Sequence, residues 1–349
     1  MHIHEILIFG GFIVFIALML FIDIGVFNKE AKEVTFKNAM YWTIFWVSLS
    51  LIFWGVIYFF GDKIHNPQNI NDLKKLISDH KHPIDVTSNN FEALIIEYRH
   101  NLSLEYITGY LIEYALSIDN IFVILMVFYS FGIQKKYYHK VLFWGILGAI
   151  IMRFLFIFVS AALIHKFSWI LYGFGILLVF TGIRMYIERN KKEKIDTANH
   201  KIVLLISKLF RVDKEYSGDS FIIKKNGKIY VTTLFIVLLV IEFTDVIFAV
   251  DSVPAIFSIT QDPYIVYFSN IFAIIGLRSL FFLVENLVEK FRFLKIGLAV
   301  LLMFIGVKML IHKYYQIDTT HSLLIVLGIL SISIVASILS PAKATHDTN

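Results

Sequence analysis

Nine apolar segments divide this chain, each about as long as a bilayer core is thick: roughly 6–27, 40–60, 104–130, 141–164, 169–188, 232–258, 264–285, 292–312 and 321–340. No other feature constrains the fold as tightly. A segment in lipid must satisfy its own backbone N–H and C=O groups, and for stretches of this length that means a helix. Composition agrees, with 58% hydrophobic and only 17% charged residues in 349, against about 25% charged in a soluble domain. The expected fold is an all-α polytopic membrane protein of about nine transmembrane helices. The first segment lacks a basic n-region and a small-x-small cleavage site, so it reads as a retained helix and not a signal peptide. No cysteine is present, which excludes disulfides, thiolate metal sites and thiol nucleophiles.

The connecting segments are sorted by charge. One side carries Lys29, Lys32 and Lys37, then Lys135, Lys136 and Lys140, then Lys290, Arg292 and Lys295, together with the basic stretch 189–228. The short connections on the other side offer only Lys166 and Lys313. The positive-inside rule therefore predicts an outside N-terminus and a cytoplasmic C-terminus. This location accounts for the net charge of +5 without a nucleic-acid partner.

The chain then divides into two N-terminal helices (1–60), an outer loop (61–103), a first repeat (104–188), a basic cytoplasmic loop (189–231), a second repeat (232–312) and a last helix with a short tail (313–349). The outer loop, with His65, His80, His82 and His100, is expected to be a polar amphipathic cap, with metal capture by its histidines as the lesser alternative. In the basic loop, 200–212 has the spacing of an interfacial helix. The Asn-Gly step inside FIIKKNGKIYV (221–231) predicts a hairpin. Glu105, Glu285, His165 and His312 lie near span ends and are expected at the interface.

An internal repeat runs through spans three to eight. Glu113-x5-Asp119-Asn120 aligns with Asp245-x5-Asp251-Ser252 at an offset of 132. AIIMRFLFIF (149–158) resembles AIIGLRSLFFL (273–283), each with an arginine inside a span, Arg153 and Arg278. GFGILLVFTGIRM (173–185) matches GLAVLLMFIGVKM (297–309) at an offset of 124. Three matches in one order argue for duplication. With three spans per repeat, the second copy is expected to run inverted, an architecture of many secondary transporters, with the substrate site near the midplane.

Acids at span centres carry the chemistry. Glu113, Asp119, Glu242, Asp245 and Asp251 facing lipid would together cost on the order of 12–17 kcal/mol, so they are expected to face a polar interior. Arg153 and Arg278 can balance two of them. The remainder requires a bound cation, protons or both. Carboxylates with Asn120 and Ser252 form an oxygen-only set, suited to Mg²⁺, Ca²⁺ or Mn²⁺. Six residues separate the acids of each pair, so either the helix is interrupted or each pair serves two positions along a path; Pro254, which lacks an N–H, supports an interruption beside Asp251. Asp23, near the inner end of span one, is a further candidate. No Walker A motif suggests an ATP motor, and no nucleophile–base or H-E-x-x-H constellation suggests an enzyme.

EYALSIDN and EFTDVIFAVDSVPAIF resemble the two signature motifs of the TerC family of bacterial membrane proteins, and FIDIGVFNKEAKEV looks like its longer, Alx-type branch. The resemblance spans about residues 10–340. It implies a divalent-cation transporter of the bacterial plasma membrane, an exporter of Mn²⁺, with Glu113, Asp119, Glu242, Asp245 and Asp251 as the motif acids beside Asn120 and Ser252. Tyr114 departs from the Trp often found there. Some relatives are tied to metalation of secreted enzymes, and the family name comes from tellurium resistance. Exchange of Ca²⁺ or another cation for protons is an alternative expectation. So is an assembly factor bound to secretion machinery through the basic loop.

Overall fold

The computed structural model describes residues 3–27, 35–87, 89–167, 169–188, 210–213, 218–225, 227–285, 293–311, 314–315, 317 and 319–339. All nine expected apolar segments fall on helices. They are α1 (Ile3–Phe27), α2 (Phe36–Phe60), α4 (Phe91–Ser130), α5 (Lys135–Lys166), α6 (Ile170–Glu188), α7 (Thr233–Phe257), the pair α8 (Pro263–Ile275) and α9 (Leu277–Glu285), α10 (Leu294–Ile311) and α11 (Thr319–Leu339). Among the described residues six helices are long and apolar enough to cross a bilayer, or seven with α8 and α9 as one span bent by 43°. The protein is an all-α integral membrane protein.

Helix starts follow side-chain capping. Asn90 accepts from the Ala93 N–H and starts α4 thirteen residues before the expected span, so its first turns rise out of the apolar zone. Asn69 caps the short amphipathic α3 (Ile70–Asp79), which lays Leu73 and Ile77 onto the bundle. Asp262 caps α8, accepting from the Tyr264 N–H at 2.9 Å, with Pro263 in the first turn.

α8 is buried from Tyr264 to Ile275, as an all-round apolar helix must be. It packs on α4 and α5, and Phe268 and Phe272 meet Phe12 and Phe53 in a ring cluster. The outer helices expose Phe21, Ile52, Phe59, Leu155, Phe180 and Ile332, the faces that lipid covers.

The chain breaks at Gly276, between α8 and α9, and not at Pro254. Pro254 lies in the last turn of a continuous α7. There only the end of the helix loses a bond, so the ring does not interrupt the rod.

Contacts between the two repeats come in exchanged pairs. α4 packs on α8 while α7 packs on α5, and α6 packs on α10. In the last pair a Cβ built on Gly175 would lie 3.0 Å from the Gly306 carbonyl oxygen, and one built on Gly182 would lie 2.7 Å from that of Ala299. As the number rises on α6 it falls on α10, so these two helices run antiparallel. At the offset of 124, Gly175 corresponds to Ala299 and Gly182 to Gly306; the contacts exchange as they would about a two-fold axis.

The predicted hairpin is present: β2 (Ile222–Lys225) pairs antiparallel with β3 (Lys228–Thr232), and Gly227 takes φ +74° at the turn. β1 (Val212–Asp213) joins β3 in parallel. The rest of the expected interfacial helix, up to residue 209, lies outside the described residues.

Candidate functional site

Arg153 on α5 organises the centre of the bundle. Its Nε and Nη2 donate to the two carboxylate oxygens of Asp245, at 3.3 and 3.2 Å. Its Nη1 donates to Glu113, to Ser252 Oγ at 3.1 Å and to Asn270 Oδ1 at 3.2 Å. Asn270 Nδ2 completes the ring by donating to the other Glu113 oxygen at 3.0 Å. The side chains of Arg153 and Glu113 are fully buried. One guanidinium thus holds the corresponding acids of both repeats. A forked donor suits this, because two parallel N–H groups match one carboxylate.

Asp251 stands apart from that network. Its Oδ1 accepts from the Thr181 hydroxyl at 3.1 Å. With Asn120, Thr181 and Ser252 it lines a cavity of about 190 Å³, which Arg184 and Glu188 of α6 and Lys295 of α10 also line. Asn120 and Ser252 are buried, and Ser252 links this cavity to Arg153. A smaller cavity touches Asn120, Asp245, Phe248 and Arg278.

The remaining sequence candidates are scattered. The Glu242 carboxylate lies against Gly148 of α5, where an added Cβ would overlap it. Arg278 is buried on α9. Asp119 lies on α4 and Asp23 on α1, with both side chains outside the described residues. His165 is exposed, as expected, and Glu285 pairs with Lys135 at 2.9 Å; His312 lies outside the described residues.

Thr181 and Asn270 went unnoticed in the sequence. The signal for Asn270 was present, a lone amide in the apolar run PYIVYFSNIFAII. Thr181 gave none, since threonine is common in apolar helices.

The loop expected to be a polar amphipathic cap turns His65 and His82 inward. His65 Nε2 sits 2.9 Å from Asp262 Oδ2, and its Nδ1 3.1 Å from Glu5. Burial alone would push His65 down, but the two carboxylates outweigh it and raise its pKa to about 9. Burial lowers His80. For Asp262 burial works upward, yet His65 and His80 hold it below the usual carboxylate range. Glu105, expected at the interface, is fully buried with His82 Nδ1 at 2.8 Å and Asn101 Nδ2 at 2.7 Å. An acid there needs such partners, because burying it unpaired is costly.

The family described as "Integral membrane protein TerC family" matches residues 98–345. A membrane protein of Myxococcus xanthus is 38% identical over 338 residues, 97% of this chain and 93% of its own length. Two relatives carry the name "Putative membrane-bound redox modulator Alx". That of Salmonella typhi is 38% identical, covering 94% of this chain and 93% of the relative. That of Escherichia coli K12 is 39% identical, covering 93% and 92%. No solved structure matches significantly. With its buried acids in the matched region and relatives similar along nearly their whole length, the chain belongs to the TerC family of integral membrane proteins.

Proposed function

We propose that this protein carries a divalent cation, Mn²⁺, out of the cell across a bacterial plasma membrane, without enzymatic activity, and that Asp251 is the central described ligand. The observation that carries the reading is the difference between the acids. Glu113 and Asp245 are held by a guanidinium, whereas Asp251 meets a neutral hydroxyl and borders open space. Asp251, Asn120, Ser252 and Thr181 supply only oxygen or amide donors, which suit a hard cation. Asp119, the counterpart of Asp251 in the first repeat, would be the second ligand.

The exchanged contacts of α6 and α10 support an inverted pair of repeats, and the charge pattern supports an outside N-terminus. Under that orientation the Asp251 cavity, flanked by Arg184, Glu188 and Lys295, opens towards the cytoplasm.

The relatives named as redox modulators favour a second reading, in which the protein is a membrane-bound modulator of redox state. Without cysteine, this chain has no thiol chemistry of its own for that role. Uptake of ⁵⁴Mn²⁺ into inside-out vesicles, with Ca²⁺ and Zn²⁺ as competitors, separates the readings. Uptake that Zn²⁺ blocks at concentrations where unlabelled Mn²⁺ does not would contradict the oxygen-ligand assignment, and no uptake at all would favour the second.

A further inference from the structure

Fifteen residues along α4 separate Asn120, on the Asp251 cavity, from Glu105, a rise of about 22 Å. At the Glu105 end the polar groups converge a second time, and with different chemistry. His65, His80 and Asp262 each present one donor atom, all within 4.8 Å of one another. His65 and Asp262 side chains are buried, while His80 is 20% exposed. The ring centroids of His65 and His80 are 5.0 Å apart, and those of His80 and His82 5.7 Å.

We propose that this cluster is a second metal site, separate from the transport path, that takes an imidazole-preferring ion of the zinc class through His65, His80, Asp262 and His82. Three of the donors, on His65, His80 and Asp262, are already spaced for it, and the His82 ring lies beside His80. Bonds of about 2.0–2.2 Å at tetrahedral to octahedral angles separate neighbouring ligand atoms by roughly 2.9–3.5 Å. His65 Nε2 and Asp262 Oδ2 stand at 2.9 Å, and His80 Nδ1 lies 3.9 Å from the same oxygen. A modest turn of His80, the one side chain with room, closes this set of three.

The supporting groups point the same way. A ligating histidine characteristically gives its other N–H to a carboxylate, which fixes the tautomer and aims the free nitrogen at the metal. His65 has Glu5 on Nδ1, and a metal at Nε2 would take the place of the proton now shared with Asp262 Oδ2. His82 has Glu105 on Nδ1, and its buried Nε2 has no hydrogen-bond partner among the described residues. The Nδ1 of His80 likewise has none. Asp262 uses Oδ1 to cap α8 and keeps Oδ2 for the cluster. Two or three imidazoles with one carboxylate and no thiolate select zinc-class ions over Mn²⁺, the reverse of the preference proposed for Asp251. A filled site would tie α1, the 61–82 loop, α4 and the start of α8 together.

The test is a Co²⁺ titration of chelator-stripped, full-length protein in detergent, followed by visible absorption and Zn²⁺ displacement. An imidazole–carboxylate site of low coordination number gives an intense band, whereas an octahedral oxygen site gives a weak one. The expected result is an intense band saturating at one Co²⁺ per chain and lost on adding Zn²⁺. His80→Gln should weaken binding at least 100-fold, Glu105→Gln should weaken it about 10–100-fold, and Asp251→Asn should leave the band in place. His80 is partly exposed and its Nδ1 holds no hydrogen bond, so its replacement leaves the fold intact. A wild-type protein without the band, or a His80→Gln variant that binds Co²⁺ as tightly as wild type, would overturn the proposal. Neither outcome bears on Mn²⁺ flux.

Discussion

Glu113 and Asp245 occupy corresponding positions in the two repeats and hold the same guanidinium, that of Arg153. The pairing joins α4, α5 and α7 at the protein's centre and neutralises one of the two acids. It also separates structural carboxylates from available ones, because Asp251, which lies outside the network, faces the cavity of about 190 Å³.

Removing Arg153 should therefore damage the fold more than removing any single acid. Arg153→Gln strands two carboxylates in an apolar interior, and breaking a buried pair costs about 3–5 kcal/mol. Detergent melting curves should show a large loss for Arg153→Gln. Recovery is expected in the triple variant Arg153→Gln, Glu113→Gln, Asp245→Asn, where no charge is stranded. A single variant as stable as wild type would show that the network is not structural.

The α6–α10 contact should tolerate no added side chain. A Cβ on Gly306 would lie 2.7 Å from the Gly175 carbonyl oxygen, and one on Gly182 equally close to that of Ala299. Gly306→Ala and Gly182→Ala should each destabilise by roughly 1–3 kcal/mol, the range for overpacking. Gly173→Ala on the same helix meets nothing within 4 Å and serves as the control. Equal melting of all three variants would contradict the close antiparallel packing.

Orientation can be read by labelling, since the chain has no native cysteine. A cysteine replacing the exposed Lys75 of α3 should react with an impermeant maleimide on intact cells, and one replacing Asn190 only after permeabilisation. The reverse pattern would invert the proposed topology and the direction in which the Asp251 cavity opens.

Much of this arrangement was legible from local pattern. Apolar run length located every described spanning helix, and the Asn-Gly step located the hairpin. The repeat was visible because Glu113 and Asp245, and again Gly175 and Ala299, keep fixed offsets. What stayed hidden depends on tertiary pairing. Spacing shows that Arg153 is buried but not that it holds both acids at once. His65 and Asp262 are 197 residues apart, and only tertiary packing brings them together, so the loop histidines read as part of a polar amphipathic cap. Pro254 was read as a break from its chemistry alone; its place in the last turn made the break unnecessary.

The central claim is that Asp251 binds the transported ion and does not merely hold helices together. Asp251→Asn keeps the oxygen that accepts from Thr181 and removes only the charge, so the hydrogen bond at 3.1 Å can persist. Its counterpart Asp119→Asn tests the other repeat. The decisive measurement is ⁵⁴Mn²⁺ flux by purified protein in liposomes, with detergent melting recorded for the same preparations. The account predicts that Asp251→Asn abolishes flux while melting stays near wild type. Flux retained by a stably folded Asp251→Asn protein would contradict it.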